Sequence, residues 1–169
     1  MIPSNLLPAN TDWFIAGGYA ACPALASDRD VWVTAETSDM DATRERILAH
    51  LETEFEKWQI VVLEPSQRQE SIYARSLKVA RVITPGVTCE IIVTDAENAH
   101  ALIDEFDVST HQIAILPNGM VVKGALWTSI TERPIKLKDS DTTDARMVKI
   151  ATRYGHVKET AIAETNYEV

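Results

Sequence analysis

The chain has 169 residues, 46% of them hydrophobic, and a formal net charge of −9. That length suits one domain with a proper core, or one domain with a short appendage, and the apolar share argues against a disordered chain. The acidic balance argues against a protein that wraps nucleic acid without sequence preference, because such affinity comes from basic groups that neutralise phosphates.

The opening MIPSNLLPAN has neither a basic start nor a long apolar run, so it does not read as a signal peptide. Asp12–Ala16 (DWFIA) reads as a short buried strand closed by Gly17-Gly18. Tyr19–Leu25 reads as a short helix broken near Pro23. Asp28–Thr34 (DRDVWVT) reads as a second strand. Asp39 or Asp41 is placed to cap the next helix, which carries Ile47, Leu51, Phe55 and Trp58 at near-helical spacing. Trp13 and Trp58 are expected in the core. Ile60–Leu63 is a third strand and 65–70 a polar loop. Arg75–Thr84 and Val87–Thr94 flank Pro85-Gly86 as a hairpin. Ala96–Glu105 reads as a helix, and Ile113–Leu116 and Met120–Lys123 as strands around the turn Pro117-Asn118-Gly119. Thr143–Tyr154 reads as a helix with an apolar stripe of Met147, Ile150, Ala151 and Tyr154, and with Arg146, Lys149 and Arg153 on the other side.

Strands alternate with helices early and hairpins follow, which predicts an α+β fold with a mixed β-sheet flanked by helices. The expected organisation is a single domain over 1–156 and a polar tail over 157–169. No stretch is long and apolar enough to span a membrane, so no membrane partner is expected. Cys22 and Cys89 stand far apart without metal-ligand spacing, which fits a reduced, cytoplasmic compartment. Residues 1–67 hold four Lys/Arg against eleven Asp/Glu. An acidic metal-binding end fits that imbalance, and so does plain solvated surface.

The densest chemical signal is Gly17-Gly18 followed by Asp28-Arg29-Asp30. Side chains alternate along a strand, so Asp28 and Asp30 share a face, with Trp32 two residues further on. Two adjacent carboxylates repel unless a cation lies between them or one is protonated. A hard divalent ion, Mg²⁺ or Mn²⁺, takes oxygen ligands and leaves room for phosphates. Amides at a Gly-Gly turn before a helix can approach a phosphate closely. Glu90, in the otherwise apolar strand Val87–Thr94, is the candidate third acid. A metal or a buried Arg would explain it there, as would the open side of an edge strand. His111 suits a hydrogen-bonded structural role better than a ligand or base. Trp32 suits either packing or stacking on a base. Arg75, Lys78 and Arg81 suit either an acceptor phosphate or a solvated strand face.

The segment FIAGGYAACPALASDRDVWVT resembles the signature of the nucleotidyltransferase superfamily built on the DNA polymerase β catalytic core: a Gly-Gly or Gly-Ser turn, then an Asp-x-Asp strand. DVSTHQIA (107–114) followed by LPNG resembles the Arg-Asp-Phe-Thr-Ile-Asn-Ala stretch and turn of the tRNA CCA-adding and bacterial poly(A) polymerase branch. TDARMVKIATRYG (143–155) resembles that branch's later basic helix. The three come in the family's order over most of 12–155. Glu90 also falls where that branch has a Glu in a short strand. The chain departs from the branch at Ala20-Ala21-Cys22, Phe106, Ser109, His111 and Thr143. The resemblance implies transfer of a nucleoside monophosphate from an NTP to a hydroxyl acceptor: an RNA 3′ end, a small molecule or a protein. It implies Asp28, Asp30 and Glu90 as catalytic metal ligands and Gly17 and Gly18 as a phosphate cradle. It also implies Asp107 near the ribose, and Arg146 and Lys149 near the nucleotide. The competing expectation is a catalytically inactive member that binds a nucleotide or a protein. A third is that Asp28 and Asp30 are only a solvated strand end.

Overall fold

In the computed structural model, which describes residues 1–65, 76–137 and 142–157, the apolar runs become strands of one seven-stranded sheet. In chain order the elements are β1 (Trp13–Ala16), α1 (Gly18–Ala21), β2 (Asp28–Thr34), α2 (Met40–Glu54), β3 (Ile60–Val62), β4 (Ser76–Thr84), β5 (Val87–Thr94), α3 (Ala99–Ile103), β6 (Ile113–Ile115), β7 (Val121–Lys123) and α4 (Asp144–Arg153). The strand order is β3-β4-β5-β2-β1-β6-β7. β2 and β5 run parallel at its centre, and the other neighbours pair antiparallel. A parallel pair needs a long crossover, which here carries α2 and the β3–β4 pair. The chain therefore adopts the expected α+β architecture with a mixed sheet.

Strand alternation sets up two cores. Val31 and Val33 of β2 join Ile15, Ile91 and Val93 on one face, under Ile47 and Leu51 of α2. Trp32 goes to the opposite face with Phe14, Ala16 and Ile92, covered by Leu102 and Ile103 of α3 and by Phe106. Each fully buried Leu or Ile stabilises the fold by about 1.5–3 kcal/mol through removal of apolar surface from water. Asp28 and Asp30 share the Trp32 face, so they emerge where that second core gives way to solvent.

The structure corrects several expectations. Trp58 is 71% exposed rather than buried. The cause is that α2 ends at Glu54, Phe55 turns extended, and Trp58 falls on a 3-10 turn off the inward stripe. Trp13 is half-buried and packs on the first core. Asp39 stands at the α2 N-cap, but its side chain makes no capping bond, because a 3-10 turn at Thr37–Asp39 already feeds the helix. The expected helix at Ala96–Glu105 is shorter, Ala99–Ile103, capped by the Asn98 side chain on Ala101 N. Of the alternatives for Glu90, the open side of an edge strand does not apply, because β5 lies between β4 and β2. The loop residues 66–70, Arg75 and the tail from Lys158 lie outside the described residues. Among the described residues no helix is long and apolar enough to cross a membrane.

One irregularity breaks the register of β4 against β5. Lys78 pairs with Ile92 and Ala80 with Ile91, so Val79 is an extra residue in β4. A bulge of this kind changes which side chains share a face. It brings Lys78 and Arg81, three residues apart, to the face that carries Asp30 and Glu90.

Candidate functional site

A cleft of about 270 Å³ opens on the Trp32 face, at the junction of β1, α1 and β2. Gly17 makes the turn that creates it. Its φ of 94° and ψ of −139° are disfavoured for L side chains. A Cβ there would lie 4.0 Å from both Asp30 Oδ2 and Phe106 Cε2, so the backbone angle, not crowding, calls for glycine. The Gly17 N–H donates to Ile113 O at 3.3 Å and is therefore not open to a ligand. The amides that begin α1, at Gly18, Tyr19 and Ala20, have no acceptor within the helix. A Cβ on Gly18 would stand 3.4 Å from Arg153 Nη1, which shows how closely α4 approaches this turn.

Asp28 and Asp30 line the cleft from β2. Arg29 between them turns away, over the Tyr19 ring at 4.4 Å and onto Met1 O at 2.6 Å. Burial pushes the Asp30 carboxyl up to about 7, helped by Glu90 and then Asp28, against the pull of Lys78 and Arg81. A carboxylate in that position favours an added cation. Glu90 stands in direct register with Asp30 across the parallel pair. Its side chain is 14% exposed and is held by Lys78 Nζ at 3.3 Å, and it does not line the cleft. Among the described residues, no three His, Cys, Asp or Glu side chains form a metal-binding group. Of the three expected ligands, Asp28 and Asp30 line the cleft together, while Glu90 stands beside Asp30 in register and is paired with Lys78. The two aspartates remain a fitting donor set for Mg²⁺ or Mn²⁺, which often bind through one or two protein carboxylates and substrate phosphate oxygens.

The opposite wall is built by α4 and the segment after α3. Thr143 caps α4, accepting from Arg146 N at 3.1 Å. Arg146 then grips Asp107 in a two-pronged pair, Nε to Oδ2 at 3.0 Å and Nη2 to Oδ1 at 3.2 Å. Thr142 Oγ1 donates to the same carboxylate at 2.8 Å. Burial pulls the Asp107 carboxyl upward, but the hydrogen bonds from Arg146 and Thr142 hold it below the usual carboxylate range. His111 is buried, with Nε2 3.0 Å from the Tyr154 hydroxyl. Burial, with Arg146 and Arg153 nearby, lowers its pKa to about 4 against the pull of Asp107, so it is neutral at physiological pH. Trp32 forms part of the lining and tilts against Phe106 at 5.8 Å between ring centroids.

The cleft therefore gathers Gly17, Gly18, Asp28, Asp30, Asp107 and Arg146. It does not gather Lys149, which is exposed on α4. Arg153 lines it instead. Sequence reading put Arg153 with the polar side of the helix and assigned it no role. Its signal was the seven-residue step from Arg146, two helical turns that return to the same side. His111 also lines the cleft, in the hydrogen-bonded state expected of it. Carboxylates on one wall and two guanidinium groups on the other can hold a polyanion together with a divalent cation.

No protein-family model matches the chain, and no curated protein matches it. One solved structure, a complex of a CCA-adding enzyme with CTP, is similar over 68% of this chain at 12% sequence identity and a TM-score of 0.39. The chain covers 25% of that enzyme's chain.

Proposed function

We propose that this chain is a metal-dependent nucleotidyltransferase that moves a nucleoside monophosphate from an NTP to a hydroxyl acceptor. The observation that carries this reading is the cleft itself. It sets Asp28, Asp30 and the first amides of α1 against Arg146 and Arg153 around one space. Asp28 and Asp30 would hold Mg²⁺ or Mn²⁺. When bound, the ion supplies charge neutralisation on the triphosphate and activation of the attacking hydroxyl. Arg153 is placed to take phosphate oxygens near Gly18. Asp107 orients Arg146 and would approach the ribose. Trp32 and Phe106 offer an apolar wall for the nucleoside. The acceptor is an RNA 3′ end, a small molecule or a protein hydroxyl, and the acidic surface favours a small one or an RNA gripped locally. The free thiols of Cys22 and Cys89 suit a cytoplasmic setting.

One observation favours a second reading. Lys78 at 3.3 Å from Glu90 does part of what a cation would do for that carboxylate. A catalytically inactive nucleotide- or protein-binding module would tolerate such a replacement. Pyrophosphate release and label transfer with each α-labelled NTP, Mg²⁺ or Mn²⁺, and total RNA or small hydroxyl acceptors separate the two. The expected result is transfer that falls by about a hundredfold or more in an Asp28→Asn/Asp30→Asn variant. Metal-dependent NTP binding without transfer would favour the binding module. An absence of both binding and transfer would remove the enzyme and the nucleotide-binding module, and leave a protein-binding role.

A further inference from the structure

His111 has one ring nitrogen engaged and one without a hydrogen-bond partner among the described residues. Nε2 lies 3.0 Å from the Tyr154 hydroxyl, and Tyr154 stands behind the ring, outside the lining of the cleft. The ring itself is 7% exposed and lines the cleft. Its Nδ1 is not among the unbonded polar atoms that are sealed from solvent, so the surface it keeps belongs to the cleft. The partners behind the ring decide where its proton sits. Burial raises the Tyr154 hydroxyl above its ordinary range, against the charge of Arg153 and a hydrogen bond from it. The phenol therefore keeps its proton. Arg153 has only donors, so the Tyr154 oxygen accepts from it and its own proton is left for His111 Nε2. A neutral imidazole has one N–H, and the nitrogen that accepts cannot carry it. Nδ1 is then the donor. The charges around the ring indicate what it donates to. Asp107 offsets Arg146 through their two-pronged pair, but no carboxylate among the described residues forms an ion pair with Arg153. An uncompensated guanidinium beside an N–H donor favours an anionic oxygen over a neutral acceptor.

We propose that His111 donates through Nδ1–H to the phosphate chain of the nucleotide, beside Arg153, and that Tyr154 is the positioning residue that holds the ring in the donating tautomer. This rests on the nucleotidyltransferase reading and adds an uncharged donor to its phosphate end. A neutral donor suits the spot, because a second proton on the ring would stand against both Arg146 and Arg153.

The test uses two replacements that divide the ring. A glutamine amide reaches the position of Nε2, and an asparagine amide reaches that of Nδ1. His111→Gln thus keeps the Tyr154 contact and removes the cleft-side donor, and His111→Asn does the opposite. Equilibrium binding to the full chain is measured with Mg²⁺ and three probes: inorganic tripolyphosphate, a non-hydrolysable ATP analogue and adenosine. His111→Gln is expected to weaken tripolyphosphate and the analogue by about tenfold, the scale of a hydrogen bond to a charged group, and to leave adenosine unchanged. His111→Asn should bind the two phosphate probes more like the wild type. A histidine that only braces α4 through Tyr154 predicts the reverse order. That order, equal losses in both variants, or a loss shared by adenosine would overturn the proposal. Nitrogen NMR of the wild-type ring is the second readout and depends on no variant. The proton is expected on Nδ1, although free histidine prefers Nε2, and its signal should shift when tripolyphosphate binds. A proton on Nε2 would overturn the proposal. If tripolyphosphate binds with this dependence on His111 and the analogue does not bind, the nucleotidyltransferase reading falls while phosphate capture stands. If the analogue binds and His111→Gln changes nothing, the proposal falls and that reading stands. If the wild type binds neither, both fall.

Discussion

Asp30 and His111 are wired oppositely although both face the cleft. Asp30 releases its proton near 7 when folded and near 3.9 when unfolded. Folding therefore takes up a proton in that window, and the contribution of Asp30 becomes less favourable as pH rises through it. His111 binds its proton only below about 4 when folded and near 6.5 when unfolded, so its contribution improves as pH rises. The two slopes oppose, and the wild-type profile conceals both. Comparing variant with wild type separates them. In metal-free buffer, Asp30→Asn should be more stable than wild type at pH 8 by about 1–3 kcal/mol, with the difference vanishing near pH 4. Mg²⁺ should raise the melting temperature of the wild type at pH 8 and not that of the variant. Chemical denaturation at both pH values, with and without the ion, checks this. An unchanged difference at pH 4 and pH 8 would remove Asp30 as the desolvated acid.

The short helix α4 shows how an element carries a site. Its ten residues bury Ile150 and Ala151 and present Arg146 and Arg153 to the cleft. Thr143 decides where it starts, and so where Arg146 meets Asp107. Thr143→Ala should cost about 0.5–2 kcal/mol through the lost cap. It should also weaken binding of an NTP analogue, because both arginines shift with the helix. Thr143→Ser should restore both. Stability loss without any change in nucleotide binding would mean that α4 is only a cover. The helix was legible from its apolar stripe, and so was Arg146 as a candidate. Lys149 was not separable from its neighbours by sequence, since one helical turn offers several basic positions and only packing chooses between them.

Across the molecule, the sheet face under α2 is closed partly by the start of the chain. Leu6 is fully buried in that core, Asn5 O lies 2.8 Å from His50 Nε2, and Arg29 holds Met1 O. Leu6→Ala should therefore cost about 2–5 kcal/mol, as a core truncation does. Trp58→Ser, at the exposed 3-10 turn, should stay within about 0.5 kcal/mol of the wild type. Urea denaturation of both variants checks the contrast. A larger loss at Trp58 than at Leu6 would mean that the first core is assigned to the wrong residues. Nothing in MIPSNLLPAN marked Leu6 as core, because it belongs to no periodic element and its partners lie far away in the chain.

Local chemistry by itself determined the strands and their faces. Alternation put Asp28, Asp30 and Trp32 on one side of β2, and a Gly-Gly pair marked a turn that a side chain would strain. These follow from stereochemistry within a few residues. Tertiary structure alone decided what faces the aspartates. Pairing of β5 with β2 set Glu90 in line with Asp30, and a one-residue bulge in β4 then turned Lys78 and Arg81 onto the same face. Register between distant strands arises from whole-sheet packing, and a shift of one residue reverses every side chain. Which carboxylate meets a cation was therefore settled only when the sheet closed.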